Sequence, residues 1–203
     1  MNGQLFAAFL LITILLLLTP GPIVTLVIAT SASKGLRAGL VTVAGSSAGN
    51  AVLLAAIALG LGFILQNAVP LFELLRWLGA AYLIWLGIQA WRGAGRAATA
   101  APEHRRQFWR GFLVALSNPK TIAFFTAFLP QFVDPALPAG RQLAVMCTVS
   151  VALGTLTDSG WAMLAGWGRT WLMQTSRGKL LGRLSGVALI GGGIWLSLAR
   201  RPA

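Results

Sequence analysis

The chain has 203 residues, of which 57% are hydrophobic and 10% are charged, a balance that one water-soluble core of this size cannot bury. The formal net charge of +12 does not indicate a nucleic-acid partner, because the Lys and Arg residues lie at the ends of apolar segments and not along one exposed face. The composition therefore predicts an all-α integral membrane protein surrounded by lipid.

Long segments that are almost free of charge predict six transmembrane helices, since crossing about 30 Å of hydrocarbon takes roughly 20 helical residues. We place these helices near residues 5–32, 38–65, 71–92, 109–133, 140–168 and 180–199. Lys and Arg are concentrated in the first, third and fifth loops, so the positive-inside rule predicts that these loops are cytoplasmic and that both termini face outward. A five-span variant, in which the first helix is broken and does not cross completely, would leave every later loop on the same side.

The Ala-rich stretch 93–108 is the main linker, and it divides a single transmembrane domain, residues 1–203, into three-helix halves at about 1–92 and 109–203. The third helices of the two halves share a pattern at one fixed offset. The corresponding residues are Arg76, Gly79 and Leu83 in the first half and Arg183, Gly186 and Ile190 in the second. Three spans per half would give the halves opposite orientations, which is the inverted-repeat architecture of many secondary transporters. Chance similarity between two helices rich in Leu and Gly is the alternative.

Two predicted helices contain breaks deep in the membrane. Helix 1 contains Thr19-Pro20-Gly21-Pro22, and helix 4, the first helix of the second half, contains Ser117-Asn118-Pro119-Lys120. Proline removes a backbone donor, so the hydrogen-bond ladder must fail at both places. One break alone would favour a structural kink, but two in matching positions favour a binding site in which freed backbone groups contact a polar solute.

Ionised side chains within the predicted spans are the next candidates. At about 1.5 Å per residue, Lys120 lies about 15 Å from Arg110 along helix 4, and Asp158 has nearly the same depth on helix 5. The two side chains could pair, and an intramembrane ion is a functional candidate because it is costly unless paired or hydrated. A structural salt bridge, or a lysine that extends to the interface, is the alternative.

Asn50 and Trp161 complete the candidate binding residues. Asn50, with Ser46 and Ser47, puts polar atoms on helix 2 near the same depth. Trp161 lies one helical turn after Asp158 and is expected either to line a cavity or to pack between helices.

Several motifs resemble signatures of the lysine exporter (LysE/RhtB) family of bacterial amino-acid efflux proteins, and their order and spacing extend the resemblance over essentially the whole chain. The matching segments are Thr19-Pro20-Gly21-Pro22, Gly79-Ala80-Ala81-Tyr82-Leu83 with Gly87, Asn118-Pro119-Lys120, and Phe124-Phe125 followed by Pro130-Gln131-Phe132.

The resemblance implies a multi-pass exporter of amino acids or close derivatives in the bacterial cytoplasmic (inner) membrane, driven by the proton motive force and compatible with a homodimer. Family members that export basic amino acids typically carry an aspartate about where this chain has Asn50. The neutral residue therefore implies neutral substrates such as homoserine, threonine or leucine-like molecules.

We expect a zwitterion at the membrane midplane, with its carboxylate near the amides of residues 20–23 or near Lys120. Its ammonium would lie near Asp158 or near carbonyls freed by Pro20 and Pro119. Asp158 is the only acid well inside the predicted spans, and it is therefore the candidate proton-coupling group.

Three other classes of function are alternatives. Efflux of a divalent cation or another small solute is the first alternative, although four acidic residues, one His and one Cys in total make a poor metal-ligand set. A membrane enzyme with a nucleophile or metal site would need a histidine at depth, and the predicted spans contain none. Asp158 with Lys120 alone could still perform acid/base work, but no cofactor fingerprint is present, so we expect no enzyme activity and no cofactor. A purely structural scaffold would have little use for paired breaks and buried ions.

Overall fold

The computed structural model describes residues 2–19, 21–60, 69–92, 104–168 and 175–198, and the regular secondary structure within these ranges is helical. A 3-10 turn, Leu129–Phe132, follows the sixth of the α-helices in these ranges. The α-helices are α1 Gly3–Leu18, α2 Pro22–Lys34, α3 Leu36–Gly60, α4 Val69–Arg92, α5 His104–Leu116, α6 Pro119–Phe128, α7 Ala139–Trp167 and α8 Thr175–Leu198.

The first predicted helix forms two helices, α1 and α2. Thr19 has extended backbone angles at the end of α1, and Gly21 has extended angles at the start of α2. Pro22 occupies the first helical position, where a missing N–H costs nothing and a fixed φ favours helix initiation. The axes of α1 and α2 differ in direction by 47°. Pro20 lies outside the described residues.

The fourth predicted helix is also divided, into α5 and α6. Asn118 is the N-cap of α6 and Pro119 is again the first helical residue. α5 begins at His104, five residues before the predicted start at residue 109. The prediction used only apolar residues, whereas the polar turn at residues 104–107 extends the same helix beyond the apolar segment.

The helices include several that are suited to a membrane. Leu36–Leu59 and Ala139–Trp167 are each long and apolar enough to cross one, and the bent pair α1–α2 is a third candidate among the described residues. Large apolar side chains such as Leu59 and Leu156, which are 84% and 70% exposed, point outward, as contact with lipid requires. The full set of six crossings stays a prediction.

Two apolar clusters hold the helices together. One joins α2, α3, α4, α5, α7 and α8 and includes Val27 and Leu83. The other joins α1, α3, α6, the 3-10 turn and α7 and includes Phe9 and Met146. The candidate site described below lies where the clusters meet.

Close backbone contact between α3 and α5 depends on glycine. A Cβ at Gly45 would collide with the Phe108 carbonyl, and one at Gly111 would collide with the Thr42 carbonyl. Small residues at such positions let membrane helices approach closely and gain dispersion contacts. This contact fixes α5, and through it the start of α6, against α3.

Candidate functional site

A small cavity lies between α1, α2, α3, α6 and α7, and residues from both breaks line it. Its volume is about 40 Å³, which is room for a few ordered waters. The lining combines apolar side chains with one lysine, one aspartate, two asparagines and two hydroxyl residues: Leu16, Leu17, Gly21, Ile23, Val24, Asn50, Leu54, Asn118, Lys120, Thr121, Phe125, Ser150, Gly154 and Asp158.

Gly192 on α8 brings the two breaks together. A Cβ built at this position would lie 3.2 Å from Cγ of Pro22 and 3.5 Å from Cγ of Pro119. Both prolines are the first residues of their helices, so the amino ends of α2 and α6 meet against one glycine. The positive ends of two helix dipoles therefore point toward a common region.

Lys120 connects α6 to the end of α1. Its Nζ donates hydrogen bonds to the carbonyl oxygens of Leu16, at 2.9 Å, and Thr19, at 2.6 Å. Carbonyls in the last turn of a helix carry partial negative charge, so they are suited to an ammonium group. The Leu16 carbonyl also accepts a hydrogen bond from the Thr19 amide at 3.1 Å. A Cβ at Gly21 would lie 3.3 Å from Cε of Lys120, so the glycine leaves room for the lysine side chain.

The amino ends of α2 and α6 differ in their capping. Asn118 is buried, and its Oδ1 accepts a hydrogen bond from the Lys120 amide at 3.2 Å while its Nδ2 donates to Thr121 Oγ1 at 2.8 Å. Gly21 has no side chain and provides no such cap for α2. Ile23 and Val24, in the first turn of α2, line the cavity, and their amides donate no hydrogen bond to an N-cap side chain. Helix amino ends of this kind attract anions.

Asp158 contributes a buried carboxylate from the middle of α7. It is 7% exposed and lines the cavity together with Lys120. Lys120 and Asp158 interact electrostatically across the cavity. The hydrogen bonds of the Lys120 ammonium to described residues go to the Leu16 and Thr19 carbonyls, so the pairing that the sequence suggested is present as an electrostatic interaction without a direct hydrogen bond. The carboxylate is positioned to accept a proton or a cationic group within the cavity.

Asn50 on α3 offers an unused acceptor in the cavity lining. Its Oδ1 is enclosed and has no hydrogen-bond partner within the described part of the chain. A nearby polar side chain of the same helix already has a partner, since Ser47 Oγ and Thr155 Oγ1 are hydrogen-bonded at 2.6 Å. A buried acceptor without a donor is costly, and a ligand N–H or O–H group would remove that cost.

The predicted site residues are brought together in part. Gly21, Asn50, Asn118, Lys120 and Asp158 line one cavity. Three others make contacts at its edge. The Thr19 carbonyl binds Lys120, and the rings of Pro22 and Pro119 pack on Gly192.

Trp161 is not among the residues that line the cavity, so its predicted role there has no support from this arrangement. Gly192, Leu16 and Ser150 were missed by the sequence reasoning. A run of glycines at residues 191–193 is the one local signal that could have identified the contact on α8.

Residues suited to binding a metal ion are dispersed in the described ranges. No group of three or more His, Cys, Asp or Glu side chains comes together there.

Comparisons with known proteins identify the family of the chain. The LysE type translocator family model matches residues 14–200, a range that contains both breaks and all of the cavity lining. The chain belongs to the LysE type translocator family. This membership confirms the resemblance drawn from the motifs and makes the translocator a membrane transport protein and not an enzyme.

Relatives match the translocator along most of its length. It is 33% identical over 204 residues to the homoserine/homoserine lactone efflux protein of Salmonella typhimurium, covering 98% of this chain and 99% of the relative. It is 28% identical to an uncharacterized membrane protein of Vibrio cholerae, over 98% and 100% of the two chains. A further uncharacterized membrane protein, from Pseudomonas aeruginosa, is 41% identical over 139 residues, 64% of each chain. No solved structure matches the translocator.

Proposed function

We propose that this translocator is a secondary active exporter of a neutral amino acid or close derivative, such as homoserine, and that it works by proton antiport across the bacterial cytoplasmic membrane. The observation that carries the proposal is the Lys120 bridge to the α1 carbonyls in a cavity that also holds Asp158, Asn50 and the uncapped amino end of α2. The name of the Salmonella relative supports efflux of a homoserine-like solute.

The site has separate places for the two charges of a zwitterion. The substrate carboxylate would bind the amides of Ile23 and Val24, next to the Lys120 ammonium. The substrate ammonium would bind Asn50 Oδ1 and the Asp158 carboxylate. Such pairing satisfies the buried acceptor and gives each ion a partner, which an intramembrane site requires.

Proton coupling follows from competition at Asp158. A proton and a substrate ammonium cannot both occupy the same carboxylate, because protonation removes the negative charge that attracts the cation. Release of the substrate on the outer side would leave Asp158 free to take up a proton, and release of that proton inside would restore the carboxylate for the next substrate.

Substrate binding requires movement, since a cavity of about 40 Å³ holds only a few waters. We assign this movement to α1, whose main contacts are with α7 and the 3-10 turn. Displacing the end of α1 breaks the two Lys120 hydrogen bonds and frees the lysine for the substrate carboxylate. Binding and opening are thereby linked through one side chain.

The test uses purified protein in liposomes loaded with labelled homoserine, threonine or lysine, with and without an imposed pH gradient. We expect efflux of the neutral amino acids to be accelerated by the gradient. In Asp158→Asn, efflux should no longer respond to it. Asp134→Asn is the matched control, because Asp134 lies outside the cavity and its Oδ1 only accepts a local hydrogen bond from the Ala136 amide.

Retained coupling in Asp158→Asn would reject the role of this carboxylate. Flux of a divalent cation, with no flux of any amino acid, would replace the proposal by the metal-efflux alternative.

A further inference from the structure

A second, larger pocket lies between α4 and α5 on the outside of the helix bundle, away from the substrate cavity. Its volume is about 420 Å³. Three arginines line it, Arg105, Arg106 and Arg110, together with the aromatic side chains of Tyr82, Trp85 and Trp109. No residue of its lining carries a negative charge.

The arginines concentrate positive charge that has no counter-ion in the described part of the chain. Arg110 is partly buried, and its enclosed Nε has no hydrogen-bond partner among the described residues. Arg106 and Arg110 also interact electrostatically with Lys34 at the end of α2. Like charges gathered in this way are unfavourable unless an anion joins them.

The aromatic residues have fixed positions on both walls of the pocket. On α4, the rings of Tyr82 and Trp85 are 5.8 Å apart. On α5, Trp109 packs edge-on against Phe112 at 5.3 Å. Trp85 and Trp109 are 50% and 47% exposed. Half-exposed tryptophans are typical of the membrane–water interface, where acyl chains end and headgroups begin.

The pocket therefore combines guanidinium groups that can bind phosphate with a position at the membrane–water interface. Guanidinium groups bind phosphate oxygens through paired hydrogen bonds, and basic pockets between transmembrane helices bind anionic headgroups. We propose that this pocket binds the phosphodiester headgroup of an anionic phospholipid, of the phosphatidylglycerol class. The bound headgroup supplies the missing counter-ion and ties α5 to α4 at the membrane surface.

The experiment reconstitutes the full chain in equimolar phosphatidylglycerol and phosphatidylcholine and counts retained lipids by native mass spectrometry. Wild-type protein should retain more phosphatidylglycerol than phosphatidylcholine. Arg106→Gln with Arg110→Gln should reduce that retention by about tenfold or more, the effect of losing charge-assisted hydrogen bonds. Arg37→Gln with Arg141→Gln removes the same charge from two exposed residues outside the pocket, and it should leave retention unchanged.

Arg106→Lys with Arg110→Lys keeps the charge but loses the paired hydrogen-bond geometry, so intermediate retention would support the proposal. Equal losses in the pocket and control variants would overturn it, because retention would then follow net charge alone. Equal retention of the two lipids by wild-type protein would also overturn it. So would displacement of the lipid by millimolar inorganic phosphate, which would indicate a site for free anions. Lipid retention is measured without transport, so the result is independent of the proposed export.

Discussion

Lys120 links the start of α6 to the end of α1. Its ammonium occupies the carbonyls of Leu16 and Thr19 at 2.9 and 2.6 Å, and its α6 backbone begins at the second break. These hydrogen bonds of the lysine therefore form only when the end of α1 is in the position seen here. No other lysine among the described residues lines the cavity.

We predict that Lys120→Met reduces homoserine efflux from liposomes by tenfold or more, on the order of the loss of one charge-assisted hydrogen bond. Lys120→Arg should retain measurable efflux, because it keeps the positive charge near α1. Lys179→Met, at an exposed position on α8, is the control and should transport normally. Wild-type rates in Lys120→Met would show that the lysine only joins the helices.

The neutral side chain of Asn50 limits the positive charge that the cavity accepts, if its free Oδ1 contacts the substrate ammonium as we propose. Asn50→Asp adds a negative charge to the cavity and should raise lysine efflux relative to homoserine efflux by about tenfold, which corresponds to about 1.4 kcal/mol. Asn2→Asp adds the same charge at the start of α1, outside the cavity, and should leave the ratio unchanged. The measurement is a competition assay with both amino acids, and an unaltered ratio in Asn50→Asp would contradict the assignment.

At the level of elements, the breaks were predictable because their cause is local. Each proline removes its own N–H and fixes its own φ, so Pro22 and Pro119 indicate the starts of α2 and α6 without any knowledge of the fold. The cap at Asn118 is equally local, since its side chain bonds the amide two residues later.

The contacts between elements were not predictable in the same way. Gly192 touches Pro22 and Pro119, which are distant in sequence. The run of glycines at residues 191–193 indicates a close contact on this helix but not which residues Gly192 meets. The hydrogen bonding of Lys120 to α1 instead of Asp158 has the same origin. Depth along a helix places both residues at one level, but the rotation and tilt of the helices decide which groups are within hydrogen-bonding distance.

The contact of α8 with the two breaks leads to a prediction. A Cβ at Gly192 would lie 3.2 Å from Pro22 Cγ, so Gly192→Ala should separate the amino ends of α2 and α6 by a few tenths of an ångström. We expect homoserine efflux to fall severalfold, since misplacement of a site at this scale weakens substrate binding. Gly191→Ala, on the same helix with nothing within 4 Å, should transport normally. Equal rates in the two variants would mean that the junction tolerates the extra methyl group.

At the scale of the whole molecule, contacts between helices are consistent with the proposed inverted repeat. α3 packs on α7 and α4 packs on α8, so the second helices of the two halves meet, as do the third. In an inverted repeat, the contact between α3 and α5 in one half is equivalent to the contact between α7 and α1 in the other, and both contacts are present. They differ in closeness. α3 and α5 are in backbone contact at Gly45, whereas a Cβ at Gly154 on α7 would have ordinary van der Waals contact with Leu17, at 3.6 Å. Unequal packing of related pairs is what one state of an alternating-access transporter would show.

The same architecture predicts which side of the membrane each loop faces. In a chain with Cys147→Ser, which removes the one native cysteine, single cysteines can be labelled in intact cells with a membrane-impermeant maleimide. Ala136→Cys, in the exposed connection before α7, should react from outside, and Thr99→Cys, in the linker, should react only after the cells are opened.

Gly3→Cys, at a position with nothing within 4 Å, distinguishes the six-span topology from the five-span topology. It should react from outside if the α1–α2 pair crosses completely, because the six spans then leave the N-terminus outside. Protection of Gly3→Cys with labelling of Ala136→Cys would indicate the five-span variant, in which α1 enters the membrane without crossing it, and would place the end of α1 on a path that opens from the cytoplasm.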